Sequence, residues 1–118
     1  MNINEYLEGC LRTWEGENRL TRAVLGLVGE AGEVAEKYKK YLRGDYNDTG
    51  WRLSDDMNAQ AFYGFKYSVK KELGDVIYYW TILCHELGLD PAEVMKSNLE
   101  KLADRQARGK IKGSGDER

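Results

Sequence analysis

The sequence predicts an all-α domain with a four-helix, bundle-type core. Three observations predict it: a single proline in 118 residues, long stretches of helix-forming residues, and apolar side chains that recur at three and four positions rather than at two. At this length the chain is most simply one domain, 1–118, able to bury roughly two-thirds of the surface its unfolded form exposes.

The first helix is expected from about Ile3 to Trp14, capped by Asn2 or Asn4, with Tyr6, Leu7, Cys10, Leu11 and Trp14 in helical register. The second runs from about Leu20 to Leu42. Its residues Leu20, Val24, Leu27, Val28, Ala31, Val34, Ala35, Tyr38 and Leu42 share one face, and Gly44 is a natural stop. The third covers about Tyr67 to Leu87, turning Val69, Leu73, Val76, Tyr79, Trp80, Leu83 and Leu87 inward, with Gly88 closing it. The fourth has the clearest start, because Asp90-Pro91-Ala92-Glu93 supplies an N-cap, a proline at the first helical position and a capping-box partner. It should end near Arg108. Between the second and third helices, 45–66 is a long, Asp-, Asn-, Gly- and aromatic-rich insertion that should fold in part. Ser54 is placed to cap a short helix through Phe62, and Trp51, Phe62, Tyr63 and Phe65 are too apolar for a linker. Residues 109–118 read as a mobile, basic, glycine-rich tail.

The formal charge of -2, from 20 acidic and 18 basic residues, lacks the basic excess with which proteins grip nucleic acid polymers. Cys10 and Cys84 sit inside helical patterns without metal-type spacing, so both are expected as free thiols packed in the core. No apolar run approaches the roughly 18 residues of a membrane span, and the start of the chain lacks the basic-then-apolar order of an export signal. The expectation is a cytoplasmic chain with no membrane partner.

The chemistry is concentrated in carboxylates. Glu30 and Glu33 on the second helix, and Glu72 and Asp75 on the third, are two acidic pairs spaced by three, each spanning adjacent turns of one face. Glu30 borders the apolar stripe of its helix, and Glu72 falls inside the stripe of the other. An ionised carboxylate there needs a cation, a basic partner or a proton, since burying it alone costs several kcal/mol. Oxygen donors from two facing helices suit a hard divalent cation, with Mg²⁺ the natural choice where a phosphate completes the shell. Taken singly, either pair is an ordinary solvated helix face; two pairs inside apolar periodicity are harder to read that way. Glu36 points further round, an outer position at best.

These residues resemble a known family. Leu25-Gly26-Leu27-Val28-Gly29-Glu30-Ala31-Gly32-Glu33-Val34, followed by Glu72-Leu73-Gly74-Asp75, is similar to the E-x-x-E … E-x-x-D signature of MazG-like nucleotide pyrophosphohydrolases. Asn98-Leu99-Glu100-Lys101-Leu102, Arg105, Gly109 and Lys112-Gly113-Ser114-Gly115-Asp116 resemble the ending of its short members. The stretch from Glu33 to Glu72 is longer than the family's usual spacing. The resemblance implies an all-α homodimer or homotetramer that uses Mg²⁺ to cleave a (d)NTP to (d)NMP and pyrophosphate, in nucleotide-pool control or house-cleaning. It implies that Glu30, Glu33, Glu72 and Asp75 bind the metal, that Asn98 touches the metal shell or the nucleotide, and that Lys101, Arg105 and Lys112 offset phosphate charge. Glu33 and Glu36 are candidates for a general base, the alternative being a metal-bound hydroxide that needs none.

Other readings stand beside this one. The glycine-rich ending is not a Walker A loop. His85, the sole histidine, falls opposite the carboxylates, which suits a surface or interface and excludes a di-iron site built from Glu-x-x-His pairs. Trp14, Trp51 and Trp80 suit core or dimer contacts better than base stacking. The competing functions are a helical interaction module with an acidic metal-binding face, and metal binding without catalysis.

Overall fold

The structure, a computed structural model, describes residues 1–47 and 57–118. Among them are four helices and no strand, so the all-α class stands. α1 (Ile3–Leu11) begins where Asn2 Oδ1 accepts the Glu5 amide proton at 2.8 Å, which settles the cap between the two asparagines. It ends before the expected Trp14, whose indole Nε1 donates to Glu86 at 2.7 Å while the Arg22 guanidinium lies over its ring at 4.4 Å. α2 (Arg19–Arg43) stops at Gly44, whose φ of 89° lets its amide turn back to the carbonyls of Lys40 and Tyr41. α4 (Pro91–Ala107) starts as expected, with Asp90 Oδ1 accepting the Ala92 amide proton at 2.9 Å.

α3 (Met57–Glu86) corrects the expected boundary, because it begins well before Tyr67 and runs without a break through the second part of the expected insertion. No separate helix ends at Phe62; the expected cap Ser54, and Trp51, lie outside the described residues. The reason is packing across the helix pair. Phe62 and Phe65, three apart, meet Tyr41 with ring centroids at 6.1 and 5.1 Å, and Tyr38 meets Phe65 at 5.8 Å. Beside them Tyr46 lies on Gly64, where an added Cβ would stand 3.2 Å from the Tyr46 ring. Aromatic contact of this kind offsets the weak helix propensity of a segment holding two phenylalanines, a tyrosine and a glycine.

α2 and α3 form a long antiparallel pair. α1 and α4 pack at the far end of α3, and α4 touches α1 and α3 but not α2. The expected bundle is therefore not closed within one chain: the 25 residues of α2 and 30 of α3 outrun the 9 of α1 and 17 of α4. The core is small. Cys10, Ala23 and Ile82 are buried together, ringed by Tyr6, Leu11, Trp14, Tyr78 and Leu83; full burial of Ile82 contributes about 1.5–3 kcal/mol. Leu20, Val24, Val28, Tyr38, Leu42, Leu73 and Leu87, all expected to face inward, are exposed. The radius of gyration is 18.3 Å, against about 13.5 Å for a compact domain of this length.

Candidate metal centre

Between α2 and α3 the Tyr79 ring lies against Gly26, where a Cβ would overlap it. That contact sets the register. One turn on from Gly26 stands Glu30, and one turn back from Tyr79 stands Asp75, with Glu72 a further turn behind it. Glu30, Glu72 and Asp75 each offer a carboxylate oxygen, and the three oxygens lie within 4.8 Å of one another. Glu30 and Glu72 are half-buried and Asp75 is exposed.

Burial pushes the Glu30 carboxyl above the ordinary glutamate range, helped by a hydrogen bond with Glu72 and by the negative charge of Asp75, Glu72 and Glu33. The shift favours the protonated form of Glu30 in the absence of a cation, and a cation among the oxygens would oppose it. On the other side of Glu72, Lys37 Nζ forms an ion pair at 3.8 Å, both side chains being about four-fifths buried. An all-oxygen donor set from rigid helices fits a hard divalent cation and offers nothing to a soft one.

Of the expected site residues, Glu33 is exposed and outside the converging three, although near enough for its charge to be felt at Glu30. Glu36 is engaged with Lys39 at 3.1 Å, and that hydrogen bond holds its carboxyl below the usual range. Asn98 and Lys101 line a separate groove of about 420 Å³ with Asp90 and Glu93. Arg105 is buried, its Nη2 donating to the carbonyls of Asp116 at 2.8 Å and Gly115 at 3.4 Å, and Lys101 reaches the Asp116 carboxylate at 3.4 Å. The charge of Lys101 in turn lowers the Asp116 pKa, with help from Arg105. In this chain Lys101 and Arg105 therefore clasp the tail, which folds back on α4, while Lys112 is exposed. Among the described residues none of these four is hydrogen-bonded or ion-paired to the converging carboxylates.

Two neighbours of the centre escape a reading by sequence pattern. Tyr6, on α1, feels the charge of Asp75; burial first, then Cys10 and Asp75, push its phenol up to about 12. Nothing in the spacing of α1 ties it to α3. Lys37 carries a usable signal, since it lies seven residues beyond Glu30 and so on the same face of α2. His85 is exposed, and both thiols are free and buried. No helix among the described residues is long and apolar enough to cross a membrane.

Comparison with known proteins bears on this geometry. The profile of the MazG nucleotide pyrophosphohydrolase domain matches residues 19–109, from the start of α2 to just past α4. The Gene 37 protein of Mycobacterium phage L5 is 40% identical over 99 residues, which cover 84% of this chain and 76% of that protein. No solved structure matches the chain.

Proposed function

The chain belongs to the MazG nucleotide pyrophosphohydrolase domain family, and from that membership we propose that it is a magnesium-dependent enzyme cleaving (d)NTP to (d)NMP and pyrophosphate. The observation that carries the proposal is the convergence of Glu30, Glu72 and Asp75 within 4.8 Å on the facing pair α2 and α3. These three residues would hold Mg²⁺, with Glu33 at the rim. When bound, the ion supplies the positive charge that offsets the polyphosphate and favours attack at phosphorus.

The chain's own groups account for the rest. A water oxygen attacks the α-phosphorus as the α–β bridging P–O bond breaks, and the bond's electron pair leaves with pyrophosphate. The water's proton passes to a carboxylate. Glu33 suits that task better than Glu36, because Glu33 has no ion pair among the described residues whereas Glu36 is held by Lys39. Glu30 stands one turn on from Gly26 and Asp75 one turn back from Tyr79, so the close contact of those two residues supports a preorganised site.

We propose also that the protein acts as a homo-oligomer, supported by the exposed apolar residues of α2 and α3 and by the open arrangement of the single chain. The deciding experiment incubates purified protein with each common NTP and dNTP and Mg²⁺, and separates the products. Monophosphate plus pyrophosphate is expected. Diphosphate plus phosphate, or no turnover of any nucleotide including modified ones, would refute the reaction; saturable Mg²⁺ binding without product would leave a metal-binding protein that is not this enzyme.

A further inference from the structure

Glu72 belongs to the carboxylate centre and also lines a groove of about 580 Å³ that runs between α2, the turn holding Tyr46, and the early part of α3. Lys37 and Lys71 line the same groove, together with Tyr67 and Gly64. It exists because α3 starts early. The Tyr46 ring lies on Gly64, and Tyr46 Oη donates to Ser68 at 3.0 Å, which fixes one wall of the groove against α3. The ammonium of Lys71 stands 5.2 Å from the centroid of the Tyr67 ring, an arrangement that positions a charge and already occupies one face of that ring.

The charge balance of the groove is two ammonium groups to one carboxylate, and that carboxylate is claimed by the proposed metal. Once Glu72 turns its oxygens to a divalent cation, Lys37 loses its partner and gains a repelling neighbour, so its ammonium needs a new anion. We infer that this groove holds the pyrophosphate end of the substrate, with Lys37 and Lys71 gripping the β- and γ-phosphates. The inference rests on the pyrophosphohydrolase reading and goes beyond it by assigning which side of the centre faces the leaving group. Lys37 then has two states: paired with Glu72 in the empty site, and paired with phosphate in the loaded one. Two ammonium groups suit the end of the substrate that carries most of its charge, and on bond cleavage they stabilise the departing oxygens.

The test is titration calorimetry on the full-length wild type and on Lys37→Met and Lys71→Met, with three probes: Mg²⁺ alone, inorganic pyrophosphate with Mg²⁺, and the monophosphate of the best substrate. Each variant should bind pyrophosphate about tenfold or more weakly, the worth of a lost charge-assisted contact, while monophosphate affinity changes less than about twofold. Lys37→Met should bind Mg²⁺ alone at least as tightly as wild type, because the competitor for Glu72 is gone; weakened pyrophosphate binding beside intact Mg²⁺ binding is the result that a purely structural ion pair would not give. Lys37→Arg, which keeps the charge, should restore pyrophosphate binding and guards against misfolding of the methionine variant. Unchanged pyrophosphate affinity in both variants, or loss of monophosphate in place of pyrophosphate, overturns the inference while wild-type turnover leaves the enzyme reading intact. A wild type that binds neither Mg²⁺ nor pyrophosphate brings down both.

Discussion

Glu30, Glu72 and Asp75 repel one another unless something positive, or a proton, stands among them, and the raised pKa of Glu30 is the mark of that repulsion together with burial. In the unfolded chain Glu30 titrates in the ordinary range; in the metal-free fold it keeps its proton to higher pH. The stability this contributes is complete below the ordinary glutamate range and is lost as pH rises through the raised value. Melting temperature in the presence of a chelator should therefore fall across that window, and Glu30→Gln should flatten the fall. Mg²⁺ favours the deprotonated form, so its stabilising effect should grow over the same window; a metal-free curve without slope there would contradict the account. Glu72→Ala should lower turnover by about a hundredfold or more and remove Mg²⁺ binding, whereas Glu33→Ala should spare Mg²⁺ binding more than it spares turnover. Calorimetry alongside steady-state kinetics separates the two, and a Glu72→Ala enzyme within tenfold of wild type would remove the centre from the mechanism. Glu30, Glu72 and Asp75, which converge, were legible as members of two acidic pairs spaced by three, whereas Glu33, drawn from the same pattern, lies outside the three. Tyr6 was not picked out, because only packing between helices ties α1 to Asp75, while Lys37 had a pattern to offer, seven residues beyond Glu30 on α2, whose meaning depends on Glu72 lying across from it.

At the scale of the helices, caps were the most readable feature: Asn2, Gly44 and Asp90 act where their chemistry places them. The start of α3 was not readable, since Phe62, Gly64 and Phe65 favour helix only once Tyr38, Tyr41 and Tyr46 lie against them. Gly26 makes a similar point, being a glycine inside a helix that is there for its neighbour's ring. Gly26→Ala should force α2 away from Tyr79 and destabilise the protein by about 1–3 kcal/mol, and should weaken Mg²⁺ binding by shifting Glu30 away from Glu72 and Asp75. Gly32→Ala is the control on the same helix, with nothing within 4 Å of the added methyl. It should stabilise by about 0.5–1 kcal/mol through helix propensity. Chemical denaturation of the two variants checks both signs, and equal effects would mean that the α2–α3 contact is not what holds the register.

At the scale of the molecule, the apolar periodicity of α2 and α3 was legible as a face but not as to what covers it. A stripe of leucine and valine looks the same whether it meets its own chain or another. Val28 is 66% exposed and Leu73 53%, and both lie on the long pair that α4 leaves uncovered along α2. In the proposed assembly a glutamate at either position would bury a charge against an apolar partner surface. Val28→Glu and Leu73→Glu should each reduce the mass seen by light scattering to that of one chain; a wild type already at that mass would remove the assembly. The interior described above also bears on how such a protein is handled. Its buried apolar side chains, among the described residues, are one isoleucine, two alanines, one proline and two thiols, far too little to hold a lone chain in shape. Folding and association would then be a single event, so the urea midpoint should climb with protein concentration, and a stock that is sound at the bench should come apart on dilution to assay levels unless metal and nucleotide are already in the tube.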